Sequence, residues 1–483
     1  MSQTLRSKTL AEVDIDQVAC TNPFVKLVND QRIVEVPELT LESGITIRNF
    51  PIAYKSWGSL NEKGDNCLVI CHALTGSSDV ADWWGPLLGN GQAFDTSRFF
   101  IICLNSMGSP YGSFSPLTVD EETGRPYGPE FPLCTVRDDV RAHKIVLDSL
   151  GVKSIACVIG GSMGGMLVLE WAAMFDRQYV RNIVALATSA RHSAWCISWS
   201  EAQRQTIYSD PKYEDGYYLL EDPPTAGLSA ARMSALLTYR SRNSFEKKFA
   251  RRSPSLEHQR KVAQQELPLP STVSEQSLQI HNDGHNHKRE NSYQKCNSVV
   301  SSNSSESVRS VSSVTSSSSV TGSTKEVKPP QTYFSAQSYL RYHGTKFVNR
   351  FDANCYIAIT RKLDTHDLAR GREEHEEDIT RVLHSIDQPS LIIGITSDGL
   401  FTYSEQEFLA ENIPNSTLTE IQSPEGHDAF LLEFKYINEL IIKFLKQNAE
   451  EIMSSPPRLW KENDSSVVIT DSLFGEAEEV TNW

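Results

Sequence analysis

The chain lacks the features that would place it outside the cell, in a membrane or on nucleic acid. None of its nine cysteines forms a C-x-x-C pair, and its N-terminus has no apolar core of a signal peptide. No run approaches the ~18 apolar residues that span a bilayer. Positive charge is also scarce, because 46 basic residues stand against 61 acidic ones, for a net charge of −15. These absences are typical of a soluble, cytoplasmic protein that binds neither nucleic acid nor a membrane.

Apolar residues are also somewhat scarce, at 39% of the chain, which indicates that part of it is not packed. Residues 253–332 have few aromatics, and twelve of the twenty residues from 301 to 320 are serine. Such a segment cannot bury enough apolar surface to offset the entropy lost on ordering, so we predict a disordered serine-rich insertion. Residues 449–483 contain eight acids and two bases, which predicts an acidic tail. By contrast, Cys67, Cys71, Cys103 and Cys157 lie in apolar runs, which predicts buried, reduced thiols.

The most informative stretch is an apolar run of strand length followed by a glycine-rich turn and a helix-forming segment, over residues 154–171. Within it, Gly160-x-Ser162-x-Gly164 matches the nucleophile elbow of α/β-hydrolases, a sharp strand-to-helix turn that presents a serine hydroxyl. The glycines leave room where strand meets helix, and the N–H of Met163 at the helix N-terminus could stabilise an oxyanion. The alternative is a glycine-rich turn of a doubly wound sheet, because the short motif also occurs by chance.

Apolar segments that alternate with helical ones predict a mostly parallel α/β sheet. Strands are predicted at 45–57, 67–71, 99–104, 183–187, 391–396 and 418–422, and helices at 136–150 and 429–447. Helical segments at 190–240 and 333–360 fall where a hydrolase fold carries a lid. The predicted segments are an N-terminal arm (1–30), a core in two parts (31–189 and 381–448), a helical lid in two parts (190–252 and 333–380), the insertion (253–332) and the tail (449–483).

A serine nucleophile needs a base that is itself oriented by a carboxylate, and hydrolase folds place them in the order Ser, acid, His. Asp398 follows the predicted strand 391–396, and His427 lies between the last predicted strand and the closing helix. The remaining histidines, His192 among them, precede Asp398. The second oxyanion donor is expected from the small-residue loop after strand 67–71, where Leu74 is the best candidate. The alternatives are a turn aspartate, a loop histidine and a tight turn without a catalytic role.

Seven blocks of the chain together resemble the homoserine O-acetyltransferase family. They are His72–Gly76, Trp83-Trp84, Asn105–Gly108, Gly160–Met166, Gly227–Tyr239, Arg350–Asn354 and Gly426–Phe430. The resemblance covers residues 30–447 without the insertion, and the insertion and tail make it similar to the fungal type. It implies that an acetyl group passes from acetyl-CoA to Ser162 and then to the homoserine hydroxyl, in methionine biosynthesis.

The resemblance also implies roles for individual residues. Ser162, Asp398 and His427 would form the triad, Leu74 and Met163 would donate to the oxyanion, and Arg232 and Asp428 would hold the amino acid substrate. A guanidinium can grip a carboxylate, and a carboxylate can pair with an ammonium group. Alternatively, Arg232 is a surface ion-pair residue of a helix and Asp428 is the N-cap of the closing helix.

The implied substrates are acetyl-CoA and L-homoserine, with no bound cofactor and no metal, and exposed lid helices could form a homodimer. Histidines in the insertion are more consistent with a solvated polar tract than with a metal site. A basic cluster at 247–252 could meet coenzyme A phosphates, although a solvated flank of the insertion explains it better. A homoserine O-succinyltransferase, a serine O-acyltransferase or a serine esterase would use the same triad. An esterase, however, has no need of an amino acid clamp.

Overall fold

The computed structural model describes residues 9–253, 272–285, 334–372 and 378–458. The chain divides into two compact units, one made of residues 1–250 and 339–483 and the other of residues 251–338. The first unit holds the sheet and every predicted site residue. In the second, the described part of the insertion forms one helix, Val273–His281. The rest of the insertion lies outside the described residues, so its disorder stays a prediction.

One nine-stranded sheet forms the centre of the first unit, in the order β1-β2-β3-β5-β4-β6-β7-β8-β9. The strands are β1 (Ala11–Glu12), β2 (Arg32–Thr40), β3 (Thr46–Trp57), β4 (Cys67–Cys71), β5 (Phe100–Leu104), β6 (Ile155–Gly161), β7 (Ile183–Leu186), β8 (Ser390–Ile395) and β9 (Ser416–Ile421). The pairs from β1 to β5 are antiparallel, and those from β5 through β4 to β9 are parallel. The predicted mostly parallel sheet is confirmed.

Most helices of the described residues alternate with the parallel strands or cluster between β7 and β8, whereas α1 precedes β2 and the last three follow β9. They are α1 (Ile15–Ala19), α2 (Val80–Trp84), α3 (Val136–Ser149), α4 (Met163–Met174), α5 (Ala194–Tyr208), α6 (Thr225–Tyr239), α7 (Arg242–Lys248), α8 (Val273–His281), α9 (Ser335–Val348), α10 (Ala353–Asp364), α11 (Ile379–His384), α12 (Tyr403–Asn412), α13 (Ala429–Leu432), α14 (Phe434–Asn448) and α15 (Glu450–Met453). None of them is both long and apolar enough to cross a membrane. Helices α5, α6, α7, α9 and α10 lie in the two segments predicted as a lid, and they are together called the lid from here on.

The central strands are apolar throughout because both faces of the sheet are covered. In β4 all five residues are buried. Cys67, Val69 and Cys71 belong to one hydrophobic cluster, and Leu68 and Ile70 belong to the other. Successive side chains of a strand point to opposite faces, so an uninterrupted apolar run is the pattern of a strand between two cores. Cys67, Cys71, Cys103 and Cys157 are all buried free thiols, as predicted.

A buried ion pair joins the lid to the core. Lys362 of α10 pairs with Asp139 of α3, and its ammonium also donates to the carbonyl of Met107 at 2.7 Å. The N–H of Met107 in turn donates to the other oxygen of Asp139 at 2.9 Å. Each of the two buried charges therefore has partners. Removing one member of the pair would leave the other charge buried and unpaired, which is strongly unfavourable. The pair therefore fixes the position of α10 relative to the core.

The structure departs from the sequence analysis at several places outside the site. Helix α8 lies inside the predicted disordered insertion, so that prediction is wrong for residues Val273–His281. Strand β2 lies in the first predicted part of the core but was not predicted as a strand. The closing helix is broken at Glu433 into α13 and α14. The predicted tail begins with α15, where Ile452 is 7% exposed and packs in the core. Residues 459–483 of the predicted tail lie outside the described residues.

Candidate active site

Ser162 stands at the turn between β6 and α4 in a strained conformation, with φ 58° and ψ −126°. The surroundings hold it there, since its N–H donates to the Leu186 carbonyl at 3.0 Å and its own carbonyl accepts from the Thr188 hydroxyl at 2.8 Å. A Cβ on Gly164 would lie 2.1 Å from the Cys71 oxygen, and one on Gly160 would lie 2.5 Å from the Gly164 oxygen. Only glycine fits these positions, so the predicted nucleophile elbow is present.

Asp398 and His427 meet as the sequence predicts. The His427 Nδ1 lies 2.7 Å from Asp398 Oδ2, and the other oxygen of Asp398 accepts from the N–H groups of Leu400 and Phe401 at 2.8 and 3.0 Å. A carboxylate is an acceptor only, so Nδ1 carries the proton and Nε2 is left to act as base. Ser162 and His427 line the same cavity.

The charges around His427 favour its protonated form. Burial lowers the pKa of its imidazole, but the charge and hydrogen bond of Asp398 raise it, and the charges of Asp428 and Glu405 add to this. The net result is a pKa above the ordinary value for histidine. Burial also raises the pKa of Glu405, to about 7. A base of raised pKa accepts the serine proton more readily, which suits general-base catalysis near neutral pH.

The loop that carries Leu74 is fixed by a buried histidine that the sequence analysis left without a role. His72 donates from Nδ1 to the Ala73 carbonyl at 2.8 Å, because its Nε2 accepts from the Ser106 N–H at 2.9 Å. Burial lowers the pKa of His72 to about 4, which keeps the ring neutral. The Ala73 carbonyl also accepts from the Gly76 N–H at 3.0 Å. Since the Leu74 N–H belongs to the same planar peptide unit, these bonds set its direction.

The other predicted oxyanion donor, the N–H of Met163, is positioned by the nucleophile elbow. Met163 is the first residue of α4. Its N–H therefore has no acceptor within its own helix, and it lies at the positive end of the helix dipole. From the lid side, Arg350 donates from its guanidinium to the Thr75 carbonyl at 3.1 Å. The residues on both sides of Leu74 are thus held by hydrogen bonds to their carbonyls.

The cavity has a volume of about 70 Å³ and is lined by both core and lid. From the core come the loop that carries Leu74, together with Ser162, His427, Asp428 and neighbouring apolar residues. From the lid come one side each of α5, α6 and α10. The lining is Ala73, Leu74, Thr75, Ser162, His192, Cys196, Trp199, Ser200, Gln203, Thr238, Tyr239, Leu363, Leu400, Phe401, His427, Asp428, Phe430 and Leu431.

Both predicted substrate residues are buried, but only Asp428 lines this cavity, whereas Arg232 lies next to the lining residue Tyr239. Arg232 of α6 is 1% exposed, and its guanidinium carbon lies 5.6 Å from the ring centre of Tyr239 and 4.9 Å from that of Phe347. It is therefore not a surface ion-pair residue. Asp428 precedes α13 but makes no side-chain capping bond, so its interpretation as an N-cap is wrong. Burial raises the pKa of Asp428, whereas the charges of Arg240, His427 and Arg232 oppose that rise.

Arg240 is a site residue that the sequence analysis missed. Its Nε lies 2.8 Å from Asp428 Oδ2, as an ion pair without hydrogen-bond alignment, and its Nη1 donates to Glu425 at 2.5 Å. Gly426 lies between these two carboxylates, and a Cβ on it would come 2.5 Å from the backbone nitrogen of Ser241. Arg240, which directly follows α6, therefore holds the loop that carries His427 in place. The only sequence signal was that Arg240 directly follows the Gly227–Tyr239 block.

Among the residues that the structure describes, no group of three or more His, Cys, Asp or Glu side chains could hold a metal ion. Two insertion histidines, His281 and His285, are within the described part, whereas His258 and His287 lie outside it.

A family model for the alpha/beta hydrolase fold matches residues 66–434. The homoserine O-acetyltransferase of Saccharomyces cerevisiae is 74% identical to this chain over 489 aligned positions, covering 100% of both proteins. That of Schizosaccharomyces pombe is 54% identical, with 96% of each chain covered.

Two solved structures share the fold at low sequence identity. The homoserine O-acetyltransferase from Bacillus anthracis superposes with a TM-score of 0.63 at 19% identity, covering 89% of this chain and 98% of that one. Esterase E22 superposes with a TM-score of 0.64 at 22% identity, covering 86% and 99%. At these identities the structural similarity supports the fold and leaves the reaction to be argued from the site.

Proposed function

The chain belongs to the homoserine O-acetyltransferase family of α/β hydrolases, and we propose that it transfers an acetyl group from acetyl-CoA to the hydroxyl of L-homoserine. The observation that carries this proposal is full-length identity of 74% to a homoserine O-acetyltransferase. The cavity shared by Ser162, His427 and Asp428 supports it. The product, O-acetylhomoserine, belongs to methionine biosynthesis.

In the first half-reaction Ser162 attacks the thioester carbonyl of acetyl-CoA. His427 takes the serine proton at Nε2 while Asp398 holds the resulting imidazolium. The N–H groups of Leu74 and Met163 donate to the oxyanion, for which their placement on two fixed turns is suited. The C–S bond then breaks, the thiolate of coenzyme A takes the proton from His427, and Ser162 is left as an acetyl ester.

In the second half-reaction the homoserine hydroxyl attacks that ester. His427 removes the hydroxyl proton, the oxyanion forms again at the same donors, and Ser162 leaves with the proton returned. Arg232 would bind the homoserine carboxylate, and Asp428 would bind its ammonium group. Arg240, paired with Asp428 at 2.8 Å, favours the ionised form of that carboxylate against the pKa rise that burial causes, and it holds the carboxylate in place.

A transferase must keep water away from the acetyl ester, and the lid supports this because it supplies seven of the eighteen residues that line the cavity. The lid also carries exposed apolar side chains, among them Trp195 at 58% and Leu237 at 50%. A homodimer formed through the lid helices would cover such side chains. We place the protein in the cytoplasm, because seven of the eight cysteines that the structure describes are buried and all eight are free thiols. No bound cofactor or metal enters this mechanism.

The assay that tests the proposal crosses two donors with two acceptors. Purified protein is mixed with acetyl-CoA or succinyl-CoA and with L-homoserine or L-serine, and the free thiol is followed. We expect turnover with acetyl-CoA and homoserine to exceed every other pair, and Ser162→Ala to remove it. Preference for succinyl-CoA or for serine would replace the proposal with the matching acyltransferase. Equal thiol release without any acceptor would make the protein an esterase.

A further inference from the structure

The loop that follows β5 is held by the ion pair between the core and the lid. Asp139 of α3 accepts from the Met107 N–H at 2.9 Å, and Lys362 of α10 donates to the Met107 carbonyl at 2.7 Å while it pairs with Asp139. All three residues are at most 1% exposed. Both peptide groups of Met107 are therefore fixed by charged partners in the interior.

Hydrogen bonds continue from this loop to the one that carries Leu74. Ser106 directly precedes Met107, and its N–H donates to His72 Nε2 at 2.9 Å. The same ring donates from Nδ1 to the Ala73 carbonyl at 2.8 Å, which shares a peptide plane with the Leu74 N–H. A displacement of Met107 would therefore reach the Leu74 N–H through one residue and one imidazole ring.

The two charges also act on the ring that links the loops. A protonated imidazole donates from both nitrogens, so His72 accepts from the Ser106 N–H only while it is neutral. Burial lowers the pKa of His72 to about 4, while the charge of Asp139 raises it and the charge of Lys362 lowers it. The paired charges thus leave the ring neutral, whereas Asp139 without its partner would favour protonation.

Ser106 has a second anchor that does not involve the lid. The Ser113 hydroxyl donates to the Asn105 carbonyl at 2.6 Å, and this carbonyl shares a peptide plane with the Ser106 N–H. Loss of the ion pair should therefore displace the Leu74 N–H without releasing it. The expected loss of rate is smaller than the roughly 10²- to 10³-fold that follows removal of a whole oxyanion donor.

We propose that Lys362 and Asp139 are positioning residues for the oxyanion donor Leu74, so that the lid helps to set the geometry of bond-making. This inference rests on the proposed function, because it takes the Leu74 N–H as a donor to the acetyl carbonyl oxygen. An ion pair that only ties α10 to the core would affect stability. A positioning pair affects the hydrogen bond to that oxygen, and it does so in both half-reactions.

The test replaces the ion pair by an apolar pair, Asp139→Leu with Lys362→Met, because such an exchange often leaves a fold as stable as before. We expect both half-reactions to slow by roughly tenfold, a part of the effect of one oxyanion donor. A second readout is the infrared band of the acetyl ester, formed from acetyl-CoA with a heavy carbon isotope in its acetyl carbonyl. Hydrogen bonding lowers the frequency of a carbonyl stretch, so this band should move to higher wavenumber. Thermal unfolding checks that the fold is kept.

The matched control is Asp148→Leu with Lys144→Met, which makes the same exchange at a partly exposed ion pair of α3 and should change neither the rates nor the band. Unchanged rates in the folded apolar variant overturn the inference, and so does a loss of rate with the band in place. A loss confined to the transfer to homoserine also overturns it, because it assigns the pair to acceptor binding.

A second variant serves if the apolar pair does not fold. Asp139→Asn with Lys362→Met keeps an acceptor for the Met107 N–H and removes the donor to the Met107 carbonyl, and it carries the same expectations. Failure of the proposed function would look different, since wild-type protein would then form no acetyl-Ser162 from acetyl-CoA and would show no ester band.

Discussion

The core and the lid contribute different things to one cavity. The core supplies the reacting groups, and each is fixed by backbone contacts at the end of a parallel strand, as Ser162 is by Leu186 and Asp398 by Phe401. The lid supplies side chains on helices, such as Arg232 and Tyr239 on α6. Under the proposed function the bond-making groups all lie in the core, whereas substrate binding draws on Asp428 of the core and on Arg232 of the lid. Changes to the triad should damage both half-reactions, and a change to Arg232 should damage one.

The largest effect is expected in the core. Ser162→Ala removes the atom that carries the acetyl group, so both half-reactions should fall by at least about 10⁴-fold, as when the nucleophile of a serine hydrolase is removed. Initial rates of coenzyme A release and of O-acetylhomoserine formation measure this. Residual activity within about tenfold of wild type would show that Ser162 is not the nucleophile.

The largest difference between the two half-reactions is expected for a change in the lid. Arg232→Lys keeps the positive charge but loses the planar fork that grips a carboxylate. Acetylation of Ser162 should survive, while transfer to homoserine should fall by roughly ten- to a hundredfold, or ~1.4–2.8 kcal/mol. Stopped-flow measurement of each half-reaction checks this, with the exposed Arg177→Lys as a control that should change neither. An equal loss in both half-reactions would contradict the assignment of Arg232 as a carboxylate clamp.

A smaller effect is expected on pH dependence. His427 must be neutral to act as base, so acetylation should rise with pH through the His427 pKa, which lies above the ordinary value. Asp428→Asn removes one of the negative charges that raise this pKa. The acid limb of the acetylation rate should therefore move to lower pH. A limb that stays in place, or that moves to higher pH, would show that Asp428 does not act on His427 through its charge.

The smallest effect is expected for the insertion, which belongs to neither region. Replacing residues 253–332 with a short Gly/Ser linker should leave kcat within a few-fold, because the free energy of loop closure grows only logarithmically with length. Circular dichroism and kcat of the shortened protein check the prediction. Loss of folding would show that the insertion packs against the rest of the chain.

The parts predicted from sequence are those that local patterns encode. The elbow and the triad could be predicted because tight turns need small residues and because the order of strands places Asp398 and His427. Strand β2 was missed because Pro37 and three acidic or basic side chains interrupt its apolar pattern. Helix α8 was missed because the serine-rich composition around it outweighed a capping box at Thr272 and Glu275.

The roles that could not be predicted depend on contacts between distant segments. His72 acts through Ser106 and its own loop, and Arg240 acts through two carboxylates that lie about 185 residues later in sequence. His192 was set aside as a triad member because of its order in the chain. Its burial in the wall of the cavity depends on the folded structure, and no local sequence pattern predicts it.

The central claim is that Ser162 carries the acetyl group between two substrates that bind in turn. The most direct measurement is the intact mass of the protein after mixing with acetyl-CoA alone, followed by peptide mapping and then by addition of L-homoserine. The account predicts one added acetyl group on Ser162, with release of one equivalent of coenzyme A, and loss of that acetyl group when homoserine is added. A protein that stays unmodified with acetyl-CoA yet turns over when both substrates are present would contradict it.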